Sequence, residues 1–222
     1  MDVRQKQRLC FLCQLACVFA HVISAVGHLS DKFEKLTAKK NLMDRNKIML
    51  KMDIESDISR IENILTSGIF DVENSRHPLK NAAFIELMVC LNDLLQKAKD
   101  LNVPVAFTDD IPSEITRKDG NSINITDFVS MVRNAVCHIP SGTHFLIESE
   151  EHQIKSTFII IRGKVDSLIM LGGEPLIQSL YEDDFCFNFG KLVLYYKRHI
   201  LRSFVEARNN VLPLISSDAF FQ

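Results

Sequence analysis

The chain has 222 residues and a formal net charge of −2, with 46% hydrophobic and 24% charged residues, the balance of a folded domain with a short appended segment and not of a disordered tail. Eight Gly and six Pro without a period exclude collagen-like and low-complexity classes, and no repeat recurs at solenoid spacing. The near-neutral balance also excludes a protein that coats nucleic acid by bulk basicity, so any phosphate contact must come from a local patch.

The first 30 residues form an apolar N-terminal segment. Leu9 to Leu29 hold sixteen apolar residues in twenty-one, after a start containing Arg4, Lys6 and Arg8. A buried helix accounts for this run. So does a signal-like or membrane-associated segment, since a basic start, an apolar stretch and the pair Val18 and Ala20 fit a secretory signal. As a spanning helix it is marginal, because Gln14 and His21 would lie in hydrocarbon. Membrane contact through residues 9–29, or secretion, is therefore the alternative to a cytoplasmic location. The six cysteines, at positions 10, 13, 17, 90, 137 and 186, show no regular framework, and reduced thiols favour the cytoplasm. Cys13, Cys17 and His21 recur every four residues on one helical face, but three groups are one short of a closed metal site. A soft apolar stripe explains the same spacing, since free Cys behaves as a small hydrophobe, and is the preferred reading.

Residues 31–210 read as one mainly α domain. Ile54, Ile58, Ile61, Ile64 and Leu65 keep a helical period inside a charged stretch and predict a long amphipathic helix ending near Gly68. Phe84, Leu87, Met88, Leu91, Leu94, Leu95 and Ala98 predict a second helix that stops before Pro104. After a polar loop, Asn124 or Thr126 can cap a third helix with Phe128, Val129, Val132 and Val136 facing a core, ended by Ile139-Pro140. Between about 140 and 190 the period changes. Phe158 to Ile161 and Leu168 to Leu171 flank Arg162-Gly163-Lys164 and predict a β-hairpin insertion. A last helix from about Lys191 to Arg208 would bury Leu192, Val193, Tyr196, Ile200, Phe204 and Ala207, leaving 211–222 as a tail. Four helices of matching length with one insertion make a four-helix-bundle-like architecture the economical one.

Most chemistry fails a motif scan. No phosphate loop, dinucleotide fingerprint, hydrolase elbow or zincin helix occurs, and Glu182-Asp183-Asp184 is a single acidic run without a second carboxylate pair. No cofactor and no metal is expected. What remains is Arg133-Asn134-Ala135-Val136-Cys137-His138, which ends an amphipathic helix and precedes a helix break. Asn134 and His138 share a face, while Arg133 lies about 140° round from His138. Lys191, Arg198 and Arg202 fall on nearly one side of the predicted last helix and could extend a track for phosphates.

R-N-x-x-x-H within a set of four helices resembles the HEPN domain (higher eukaryotes and prokaryotes nucleotide-binding domain), over about residues 40 to 210 in organisation and over six residues in motif. The resemblance implies a metal-independent endoribonuclease of bacterial toxin or antiviral-defence type. It implies RNA as substrate, an antitoxin or regulatory partner, and a composite site at a homodimer interface. It would place Arg133 on the scissile phosphate, His138 in acid/base or phosphate-stabilising chemistry, and Asn134 as the polar residue after the Arg. The residue types suit that chemistry, which needs a group titrating near neutrality and a fixed cation. Two other readings stay open on the residues alone: a non-catalytic module of the same type that binds RNA, nucleotide or a partner protein, and a membrane-anchored helical protein without catalysis.

Overall fold

The computed structural model describes residues 45–112, 115, 120, 122–138, 145–148, 153–155, 158–171, 174–190 and 192–217. The apolar segment, with Cys13, Cys17 and His21, lies outside them. The chain divides into two compact units, Met1–Leu50 with Phe221 and Lys51–Phe220 with Gln222. Of the first, residues 45–50 are described, and they are helical.

Helix is the predominant element. The first described helix, α1, runs over 45–66, and its isoleucines at 54, 58 and 61 are buried as their spacing predicts. It ends where expected: Gly68 takes a φ of +68°, the left-handed conformation in which glycine pays no side-chain penalty. Helix α2 (Lys80–Asp100) buries Phe84, Leu87, Met88, Leu91, Leu94, Leu95 and Ala98, the whole predicted stripe. It is joined to α1 by an ion pair of Lys97 with the buried Asp57, 2.6 Å apart. Helix α3 (Ile125–Cys137) starts at Asn124, whose side chain accepts the Asp127 N–H at 2.9 Å. Thr126, the other predicted cap, instead donates to the Val105 carbonyl at 2.6 Å. Phe128, Val129 and Val132 are buried as read, but Ala135 takes the fully buried place predicted for Val136.

The region predicted as one hairpin is larger. Seven strands are described: β1 (Phe145–Glu148), β2 (Gln153–Lys155), β3 (Ile159–Arg162), β4 (Val165–Leu171), β5 (Glu174–Ser179), β6 (Phe185–Phe189) and β7 (Leu192–Tyr195). They form an antiparallel β1–β2 pair, an antiparallel β4–β5 pair and a three-stranded sheet in the order β3-β6-β7. The two apolar runs read as hairpin partners therefore do not pair with each other. Ile160 of β3 faces Phe187 of β6, and Ile169 of β4 faces Ile177 of β5.

The start of the last helix is corrected for a related reason. Leu192 to Tyr195 are strand, paired with β6 through Phe189↔Leu192 and Phe187↔Leu194, and Gly190, which follows β6, has a φ of +56°. The chain then enters a π-helical segment (Tyr196–Leu201) that continues as helix α4 (Arg202–Ser216). Helix α4 passes the predicted boundary at 210 and buries Val211 and Ile215, so residues 211–216 belong to the fold.

These strands are part of the core. Alternation along Phe185-Cys186-Phe187-Asn188-Phe189 sends successive side chains to opposite faces. On one face Phe84 of α2 meets Phe187, Phe189 and Phe158, with ring centroids 4.2, 5.3 and 5.4 Å away, and Phe70 meets Phe187 at 5.2 Å. On the other, Cys186 clusters with Ile161, Ile177 and Tyr195. The described core is helix on sheet as well as helix on helix, with the helices predominating.

Candidate functional site

Helix α3 carries the predicted catalytic residues, and its position follows from its polar contacts with α2. Ser130 donates to Asn92 Oδ1 at 2.6 Å and accepts from Gln96 Nε2 at 3.1 Å, while Thr126 reaches Val105 just beyond the end of α2. The two helices are thus antiparallel. His138, eight residues past Ser130, lies about 12 Å further along α3.

At that end, His138 terminates the helix with a φ of −123° and gives its backbone N–H to the Asn134 carbonyl at 3.0 Å. The side chains of Asn134, Cys137 and His138 are exposed, and Arg133 is half-buried. Asn134 Oδ1 accepts from Arg133 Nη1 at 3.0 Å, which holds the guanidinium toward the face that Asn134 and His138 share. Arg133 Nε is buried without a hydrogen-bond partner. The arrangement presents a cation, an amide and an imidazole to solvent within one and a half helical turns.

Two of the three residues of the predicted phosphate track are described. Lys191 lies outside the described residues. Arg198 is bound to Asp183 at 3.0 Å and Asp184 at 3.2 Å, and its guanidinium carbon stands 3.7 Å from the Tyr181 ring centroid. Arg202 is paired with Asp109 and stacked 3.8 Å over Phe107, and its guanidinium holds the Asp109 carboxyl below the usual carboxylate range. Both arginines already have carboxylate partners. The acidic run is accounted for by the same contacts, since Asp184 is buried and also accepts the backbone N–H groups of Lys197 and Arg198 at 3.0 and 3.2 Å. Among the described residues no group of three His, Cys, Asp or Glu side chains is placed to hold a metal ion.

This second polar region was not anticipated, and His199 is its centre. The ring is buried, with Nδ1 accepting the Tyr195 backbone N–H at 3.0 Å and Nε2 3.0 Å from the Asp110 carbonyl. An acceptor Nδ1 requires the proton on Nε2, which therefore donates to Asp110. Burial pushes the His199 pKa down to about 4. Tyr181 donates to Asp110 Oδ1 at 2.5 Å, and that bond, with burial, raises its pKa to about 12. Here the loop over 107–112 is pinned to the π-helical segment through groups that far-separated stretches of sequence bring together.

No helix among the described residues is long and apolar enough to cross a membrane. No family model matches the chain, and no curated protein or solved structure matches it.

Proposed function

We propose that the protein is a HEPN-type, metal-independent endoribonuclease acting in the cytoplasm as a toxin or defence effector, with its site at the exposed end of α3. The observation that carries this reading is the Arg133 to Asn134 hydrogen bond, which ties the cation to an exposed amide four residues before the exposed His138. In the proposed reaction the RNA 2′-oxygen attacks the adjacent phosphorus and the bond to the 5′-oxygen breaks. His138 moves a proton, accepting it from the 2′-hydroxyl or delivering it to the leaving oxygen. Arg133 balances the charge that grows on the phosphate oxygens. Asn134 is a positioning residue that orients Arg133. One Arg and one His make a thin site, so a second copy of the chain supplies the other proton-transfer group across a two-fold axis. An antitoxin or regulatory protein that covers this end would silence it.

The test is cleavage of RNA by the purified full chain, with and without a strong chelator. Cleavage should persist in chelator and disappear in Arg133→Ala and in His138→Ala. Mixing the two variants should restore part of it if the site is shared between copies. Full activity in both single variants would overturn the assignment, and RNA binding without cleavage in the unaltered protein would replace it with the non-catalytic reading.

A further inference from the structure

A cavity of about 460 Å³ lies where the start of α2 meets β3, and it shares no residue with the site at the end of α3. Its lining carries four basic side chains, Arg76, His77, Lys80 and Arg162, and no carboxylate, with Phe158 and Ile160 forming an apolar wall. Lys80 is the unusual member. It is only 6% exposed, and its ammonium has neither a hydrogen bond nor an ion pair among the described residues. Lysines are rarely buried to this degree unless paired. Burial and the neighbouring Arg162 lower its pKa, and the Asp71 carboxylate offsets part of that.

The remaining groups are held as though facing one occupant. Arg162 is fixed by donating Nη2 to the Phe70 carbonyl and by lying 5.0 Å from the Phe185 ring centroid. His77 Nδ1 accepts the Leu79 N–H at 3.2 Å, so its proton sits on Nε2, a donor turned away from the backbone. Helix α2 begins here without a side-chain cap and without an acidic residue in its first turn, and the positive end of a 21-residue helix adds to the same potential. A largely buried lysine beside two arginines, in a lining without a carboxylate, sets up a positive potential that an anion would neutralise. A cavity of this size exceeds what a bare phosphate fills and falls within the range of sites for small organic ligands.

We propose that this cavity binds a small phosphomonoester carrying a flat apolar group. Lys80 and Arg162 hold the phosphate, Arg76 and His77 close over its outer oxygens, and the apolar group lies against Phe158 and Ile160. The site is built jointly by the helix start and the β-rich insertion, which gives the insertion a role beyond filling the core.

Calorimetric titration of the full chain with phenyl phosphate, adenosine monophosphate, inorganic phosphate and adenosine tests this. At least one of the two phosphomonoesters should bind about tenfold more tightly than inorganic phosphate, because the ring buries apolar surface, and adenosine should not bind. Lys80→Met and Arg162→Met should each weaken that binding about tenfold or more, the loss expected for a charge-assisted hydrogen bond. Should Lys80→Met fail to fold, the exposed Arg76→Ala and His77→Ala still report, with weakening of about threefold expected. No binding of either phosphomonoester at millimolar concentration would overturn the proposal, as would binding that these substitutions leave unchanged. Equal affinity for inorganic phosphate and both phosphomonoesters would overturn the part assigned to Phe158 and Ile160.

Discussion

The end of α3 and the network around His199 are both polar, yet they are built in opposite ways. Arg133, Asn134 and His138 lie within six residues on one helix and are held by one side-chain hydrogen bond. The network gathers Asp109 and Asp110 from a loop, Tyr181 and Asp184 from the approach to β6, and Arg198, His199 and Arg202 from the π-helical segment and α4, with nearly every polar group partnered. Groups that have found their partners stabilise a fold, whereas groups left facing solvent remain free to act on something else. On the proposed function the network serves structure and the end of α3 serves chemistry, and substitutions can break that division at either place.

The largest expected effect is at Asp184. Its side chain is fully buried, it accepts two backbone N–H groups that open the π-helical segment, and it pairs with Arg198. Asp184→Ala leaves those backbone donors and Nη1 of the partly buried Arg198 without an acceptor, while Asp183 still holds Nη2, and this should cost about 3 kcal/mol. Asp184→Asn should recover part of the loss, because the amide oxygen can still accept from one N–H. Urea unfolding of both variants checks the order. Equal stability of Asp184→Ala and the unaltered chain would remove the structural role given to the network.

Next in size is a pH dependence from His199. Its folded pKa of about 4 lies below the ordinary value near 6.5, so between these limits the unfolded chain binds a proton that the folded chain refuses. Stability therefore rises with pH across this window and is lost as pH falls through it, by about 1.4 kcal/mol per pH unit and about 3 kcal/mol in all. The geometry gives the reason, since a second ring proton would face the Tyr195 N–H that Nδ1 now accepts. Carboxylates held below their usual range by arginines, such as Asp109, act with the same sign at lower pH, so the measurement is a difference. Unfolding midpoints at pH 5 and 7 should be closer together in His199→Gln than in the unaltered protein.

The same contrast explains what could be read from the sequence. The helices were legible because each buries one stripe of apolar residues at its own period, and Asn124 was legible as a cap because its role needs only the residues beside it. The hairpin pairing failed because adjacency along the chain does not choose a strand's partner: β3 skips the β4–β5 pair and joins β6. The misplaced start of the last helix had a local signal, the alternating run from Phe185 to Phe189 followed by Gly190-Lys191 and a second apolar run. That signal lost to a helical spacing that Leu192 and Val193 happen to satisfy. The carboxylate partners of Arg198 and Arg202 come from 14 or more residues away, so spacing alone could not show that they are occupied. The basic cavity was hidden in the same way, because Lys80 and Arg162 are far apart in the chain.

The smallest expected effect on stability is at the end of α3, and its smallness is what makes the activity test informative. His138 is exposed, and its contribution to the helix end is a backbone N–H that alanine also supplies. His138→Ala should therefore change stability by less than about 0.5 kcal/mol. Arg133 is half-buried, but its hydrogen bond is to a neighbouring exposed amide and its Nε is unsatisfied. Arg133→Ala loses some packing of the arginine stem while removing an uncompensated buried donor, two terms of opposite sign that should leave the total within about 1 kcal/mol. Thermal unfolding of both variants beside the Asp184 series checks the ranking. A loss of several kcal/mol in either would make that residue part of the scaffold, and missing RNA cleavage would then report unfolding instead of chemistry. Near-native melting with cleavage abolished is the outcome that separates a group positioned to react from one positioned to hold the chain together.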